Sequence, residues 1–279
     1  MKPNPTDWLV TPDLNKPDEW TYPIKHDAIL EMDYYADMDR HMTHDASKLR
    51  SKIGDRTLGV MLHGASINEL ENRAKEFRDL DMCYMSINRF EVMERRILSK
   101  MGKRLDIVFL MSEQEMPRRI QDLHRYLDRG DNILMTTFST LSWLEREDYM
   151  HIIWNHDEQL YVMPRLLCRP VYPISLALIL DQMVICKVRD IVLFGADGYV
   201  PDSENDVWNQ EKMLATYYDP GYFKATNRPC GLAFGTKHFN ETYEYDDTAL
   251  NVINCSENSH IKHFRKIGYD QLRETVNAH

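Results

Sequence analysis

Short apolar runs recur from position 57 onward, and each gives way to a stretch of mixed polarity. The runs are TLGVML (57–62), MCYMSI (82–87), LDIVFL (105–110), NILMTT (132–137), DIVLFG (190–195) and LNVINC (250–255). Their length and β-favouring content predict strands, and a further strand is expected near 150–154. The intervening patterns predict helices over 67–77, 91–100, 115–127 and 141–147, the last with Ser139 as its cap. Pro173 opens a helix over 174–187, and a closing helix covers 269–277. Strands alternating with helices mean βαβ units and a parallel sheet. Near-continuous apolar strands mean helices on both faces of that sheet.

Two segments depart from the alternation. Residues 1–24 hold Pro3, Pro5, Pro12, Pro17 and Pro23, which read as an extended arm anchored by Trp8 and Trp20. These aromatics would cover the same chain or a neighbouring subunit of a homo-oligomer. Residues 26–53 space Ile29, Leu30, Met32, Met38, Met42, Leu49 and Ile53 as an amphipathic helix, long or broken. Between 199 and 245, prolines and glycines mix with Trp208, Tyr217, Tyr218, Tyr222 and Phe223, which reads as an ordered insertion or lid. The expected organisation is an arm and helix over 1–56, then one α/β domain over 57–279. That domain is an open, mainly parallel sheet with helices on both faces and an irregular lid at about 199–245, before the last strand.

Composition narrows the function. The chain has 279 residues and a net charge of −10. An acidic chain is a poor partner for nucleic acid, whose phosphates call for clustered Lys and Arg. The longest apolar run, Ile174 to Cys186, is interrupted by Asp181 and Gln182, so no membrane span is expected. The start MKPNPTDW lacks the apolar core of a secretory leader. Cys83, Cys168, Cys186, Cys230 and Cys255 are dispersed, with no C-x-x-C pair. They read as reduced thiols of a cytoplasmic protein, without structural zinc.

Ligands of open parallel sheets bind beyond the carboxyl ends of the strands. The residues expected there are His63, Gly64, Ala65 and Ser66 after the first strand and Asn88 and Arg89 after the second. Ser175 begins the 174–187 helix. Gly195, Asp197, Gly198 and Tyr199 follow its strand, and Ser256, Asn258, Ser259 and His260 follow the last one. Neither a Lys-bearing phosphate loop nor a full G-x-G-x-x-G is present. H-G-A-S therefore reads either as a glycine turn that lets a phosphate approach a helix N-terminus, or as a tight turn capped by Ser66. Asp197 could meet a ribose, base or metal, or simply form a turn. His63, His156, His238 and His260 are the candidate bases. Asp37/Asp39 and Asp79/Asp81 lie away from the strand ends and are not expected to hold a nucleotide-bound cation.

These motifs, in this order, resemble the superfamily of family 42-type sialyltransferases, Maf-type flagellin glycosyltransferases and MptE-like (DUF115) pterin diphosphokinases. L-H-G-A-S-I resembles its G-N-G-P-S-L loop, I-N-R-F its C-N-Q-F, F-G-A-D-G-Y its S-G-I-D-F-Y, and N-C-S-E-N-S its L-C-P-N-S. The resemblance implies a Rossmann-like nucleotide-binding domain. Its nucleotide contacts would be His63, Gly64, Ala65, Ser66, Asn88, Ser175, Gly195, Asp197, Gly198, Asn258 and Ser259. It implies metal-independent glycosyl transfer from a nucleotide-activated sugar, of the CMP-nonulosonate kind, to a glycan acceptor in surface-glycan synthesis. His238 would serve as base and Tyr199, with Tyr217 or Tyr218, would hold the leaving phosphate. Arg89, Arg169 and Lys237 would supply positive field for the donor. The superfamily also offers an Mg²⁺-dependent, ATP-using diphosphokinase with carboxylates such as Asp197 on the metal. A nucleotide-binding protein without catalysis is the third expectation.

Overall fold

In this computed structural model the described residues are 46–111, 116–137, 155–163, 175–200 and 245–277, with 140–141, 144, 149, 151, 218, 236–237, 239–241 and 243 between them. The expectations for residues 1–45, for Ser139, for Arg169, for Tyr217 and for His238 lie outside them.

Eight strands form one sheet. They are β1 (Thr57–Met61), β2 (Met82–Ile87), β3 (Ile107–Leu110), β4 (Ile133–Thr136), β5 (Leu160–Val162), β6 (Asp190–Phe194), β7 (Asn251–Asn254) and β8 (Arg265–Lys266). Their spatial order is β5-β4-β3-β2-β1-β6-β7-β8, and every pairing is parallel. The chain therefore winds outward from β1 to β5, returns to place β6 beside β1, and winds outward again. This is the α/β, Rossmann-like arrangement, with its switch point between β1 and β6.

The helices are α1 (Ala46–Ile53), α2 (Ile67–Arg73, continued by a 3₁₀ turn Ala74–Phe77), α4 (Met116–Leu127), α5 (Ser175–Ile185) and α6 (Tyr269–Asn277). Between α2 and α4 lies α3, which starts as Phe90–Met93, passes through a π turn Glu94–Leu98 and ends as Ser99–Met101 before Gly102. Residues 140, 141 and 144 are helical where a helix over 141–147 was expected. The strand beside β4 is β5 rather than one near 150–154. Residue 151 is helical, and 150 and 152–154 lie outside the described residues. Both segments are apolar, so the run alone did not separate them. Two residues, Arg265 and Lys266, were too few and too polar to read as β8.

Strand alternation sorts the core into two layers. Tyr84, Val108, Leu134, Val162, Val192 and Phe194 face one side, where α2, α3, α4 and α6 pack with Ile67, Ile97, Leu123 and Leu272. Leu58, Met85, Phe109, Met135, Tyr161 and Leu193 face the other, where α1 and α5 pack with Leu49, Ile53, Ile179 and Met183. Because α1 buries Leu49 and Ile53 against the sheet, the end of the N-terminal segment belongs to the core of the domain. Among the described residues, no helix is long and apolar enough to cross a membrane.

Candidate functional site

The switch point is built from two loops that interlock. Beyond the strands, Leu62 N–H donates to Phe194 O (2.8 Å) and Gly64 N–H to Gly195 O (2.9 Å). A Cβ on Gly64 would lie 2.5 Å from Gly195 O and 2.6 Å from the Asp197 carboxylate. Only glycine fits that approach. Gly195 turns back with φ +68°, a conformation that side chains disfavour, and so leads Asp197 toward the start of α2.

There the Asp197 carboxylate is held by a single residue. Ser66 N–H donates to Oδ2 at 2.8 Å, and Ser66 Oγ–H donates to Oδ1. Ser66 Oγ also meets Ser256 Oγ at 2.6 Å. Ser66 sits at the head of α2, but its hydroxyl makes no capping bond there. It turns instead to Asp197, whose carboxylate thereby takes the place an incoming anion would occupy. Across the cleft, Ser259 Oγ donates to Ala196 O (2.6 Å), and His260 N–H donates to Asp197 O (2.6 Å). Asn254 Nδ2 donates to Ala196 O (3.1 Å), and Ser256 N–H donates to Asn254 Oδ1 (3.0 Å). The loops after β1, β6 and β7 are thus one hydrogen-bonded unit.

Beside this unit lies a hollow of about 210 Å³. Ser66, Asp197, Gly198 and Ser256 line it, together with Glu69, Glu257, Asn258 and His260, which are exposed. Among the described residues that line it there is no Lys or Arg. Cys255 also faces the hollow, where burial, with Glu69 adding to it, pushes its thiol ionisation up, so the sulfur stays protonated. The sequence pattern did not mark Glu69 or Glu257. Glu69 follows Ser66 by three, the spacing of a capping box, which was the signal available.

Other expected residues lie elsewhere or do other work. Asn88 has φ +49° and joins β2 to β3, donating N–H to Phe109 O (2.8 Å) and accepting Met111 N–H at Oδ1 (2.9 Å). The His63 ring Nε2 pairs with Ile87 O at 2.8 Å. Neither lines the hollow. Ala65 accepts Asn68 N–H (3.0 Å) inside the turn. Ser175 is the first residue of α5. Tyr199 is buried, and its N–H donates to Thr236 Oγ1 at 3.0 Å. His156 pairs with Gln159 at 2.9 Å beside β5. Arg89 lies 4.0 Å from Glu91, and Lys237 is exposed.

Tyr218 is bound close to the site. Its N–H donates to His63 O (2.9 Å), its hydroxyl donates to Glu71 Oε2 (2.5 Å), and the Arg96 guanidinium lies 4.4 Å over its ring. Arg96 and Lys100 from α3 also reach Glu71, at 2.7 and 2.8 Å. Burial alone would raise the Glu71 carboxyl. The bonds from Lys100, Tyr218 and Arg96 overcome it and hold the group at about 2. Tyr218 is therefore committed to this clamp.

Among the described residues, no three His, Cys, Asp or Glu side chains gather into a group that could hold a metal ion. Comparison of the chain with protein-family models, with curated proteins and with solved structures returned no match.

Proposed function

We propose that the chain binds a nucleotide-activated sugar at the β1/β6 switch point and transfers its glycosyl group to a glycan acceptor. The donor would be of the CMP-nonulosonate kind, and the product a surface glycan. The observation that carries this reading is the convergence of Gly64, Ser66, Asp197 and Ser256 on one hollow at the carboxyl edge of the sheet. That is where open parallel sheets take their ligands. The described lining residues offer hydroxyls, carboxylates and an amide. They suit the hydroxyl- and amino-bearing part of a nucleotide sugar, with the phosphate left toward the mouth. Asp197 keeps its contact with Ser66 and retains lone pairs for a ligand hydroxyl, since a carboxylate has about four acceptor positions. In this reading the resemblance assigns the leaving-group contact to Tyr199.

Thermal denaturation of the full chain with CMP, UDP, GDP and ATP, each with and without Mg²⁺, tests the proposal. CMP should stabilise the protein without metal, by about 2.7 kcal/mol at a hundredfold excess over Kd. Stabilisation only by ATP with Mg²⁺ would move the chain to the diphosphokinase reading. CMP binding with no release of CMP from its sugar conjugate would leave a nucleotide-binding protein without catalysis. No stabilisation by any nucleotide would end the proposal. Asp197→Ala should abolish CMP binding while unfolding stays cooperative, and a variant that binds normally would remove Asp197 from the site.

A further inference from the structure

We infer that Ser256 takes the proton of the acceptor hydroxyl and relays it through Ser66 to Asp197, an inference that rests on the glycosyl-transfer reading. The direction of the chain follows from counting hydrogens. Asp197 Oδ1 accepts the Ser66 Oγ–H. That uses the only hydroxyl hydrogen Ser66 has. The 2.6 Å contact between the two serine oxygens is therefore donated by Ser256. Ser256 Oγ then has lone pairs but no free hydrogen, and Ser256 is among the residues that line the hollow. An acceptor O–H entering the hollow finds there an oxygen that can only accept.

Ser256 is also rigidly held. It is 2% exposed, and its N–H is fixed by Asn254, which is fixed in turn by Ala196 of the Asp197 loop. The charged and titratable groups around the relay are Glu69 on α2, Glu257 and His260 after β7, and the protonated thiol of Cys255. None of these has a hydrogen bond to Ser256 Oγ.

The step balances. The acceptor oxygen bonds to the anomeric carbon as the bond from that carbon to the phosphate oxygen breaks, and that electron pair leaves with the nucleotide monophosphate. The acceptor proton passes to Ser256, the Ser256 proton to Ser66, and the Ser66 proton to Asp197, which ends as a neutral acid. Water at the open side of the hollow takes the proton after product departs. Ser256 is the catalytic residue, and Ser66 and Asp197 act through it.

The test uses the full chain and a CMP-activated nonulosonate, following CMP binding by calorimetry and CMP release by chromatography. Ser256→Ala, assayed at saturating donor, should release CMP ~10²–10⁴-fold more slowly than the parent, the scale of lost general-base catalysis. Asp197→Asn keeps an oxygen for Ser66 N–H but cannot accept the proton, and it should show the same loss of turnover. The parent rate should bend downward from a straight line in H₂O/D₂O mixtures, because several protons move together. Ser256→Ala releasing CMP at the parental rate overturns the relay. So does loss of turnover in His238→Ala with full retention in Ser256→Ala, or a parent that binds CMP without ever releasing it from the sugar. A parent that binds no nucleotide sinks the function reading itself.

Discussion

At Gly64 the space for a side chain is already taken, since a Cβ there would press on Gly195 O and on the Asp197 carboxylate. Backbone on one side and a doubly hydrogen-bonded carboxylate on the other leave little room to shift. Gly64→Ala should therefore destabilise the protein by about 1–3 kcal/mol, the scale of local overpacking. It should also weaken CMP binding at least tenfold. An unchanged melting temperature in a scanning calorimeter would show that the two loops can separate at no cost. At this scale the sequence was partly readable. Gly64 was read as letting a ligand approach the backbone, and the close approach found there is between Gly64 and the Gly195–Asp197 loop. Asn88 stood in an equivalent place, yet its amide oxygen accepts Met111 N–H and ties the end of β2 to the end of β3. A polar residue after a strand looks the same in sequence whether it faces a ligand or its own backbone, because the left-handed φ that decides the matter leaves no pattern.

At the scale of elements, α2 and α3 are tied by Glu71, with Arg96, Lys100 and Tyr218 as its donors. The Glu71 carboxyl ionises at about 2 rather than the ordinary 4.5, so the folded state binds its proton more weakly than the unfolded chain does. The stabilisation is therefore full above about 4.5 and is lost as pH falls toward about 2. It amounts to on the order of 1–3 kcal/mol, reduced by the half-exposed positions of Arg96 and Lys100. Urea titrations from pH 6 to pH 3 should show this loss in the parent and a smaller one in Glu71→Gln. Equal slopes against pH in the two proteins would discard the clamp as a source of acid sensitivity. Tyr218→Phe keeps the ring under Arg96 and deletes one donor, for a loss of about 1 kcal/mol. The helices α4 and α6 were legible from spacing, since charged residues separate their apolar ones. The π turn of α3 was not. Glu94–Leu98 carries an ordinary helical composition, and the extra residue in that turn is paid for by contacts to α2 that lie far off in sequence.

For the whole molecule, the sheet is a shared wall between two apolar layers, and β1 to β7 each contribute to both. Substitutions on either face should act on one cooperative unit. Leu193→Ala on β6 empties a fully buried site. It should cost about 2–5 kcal/mol with an unchanged urea slope. A shallower slope or a second transition would mean that the two layers unfold separately. The parallel α/β architecture was readable because strands covered on both faces become near-continuous apolar runs, as IVLF and MCYM are. The order of strands around the switch point was not written in any one segment. It follows from where β6 finds an open edge beside β1.

The meeting of Gly64, Gly195 and Asp197 also constrains how this protein can diverge. A descendant that acquires a side chain at 64 must shorten residue 197 or reshape the turn at 195 in the same lineage. These three positions should drift together as one inherited unit, while their neighbours Leu62 and Ala65 vary independently.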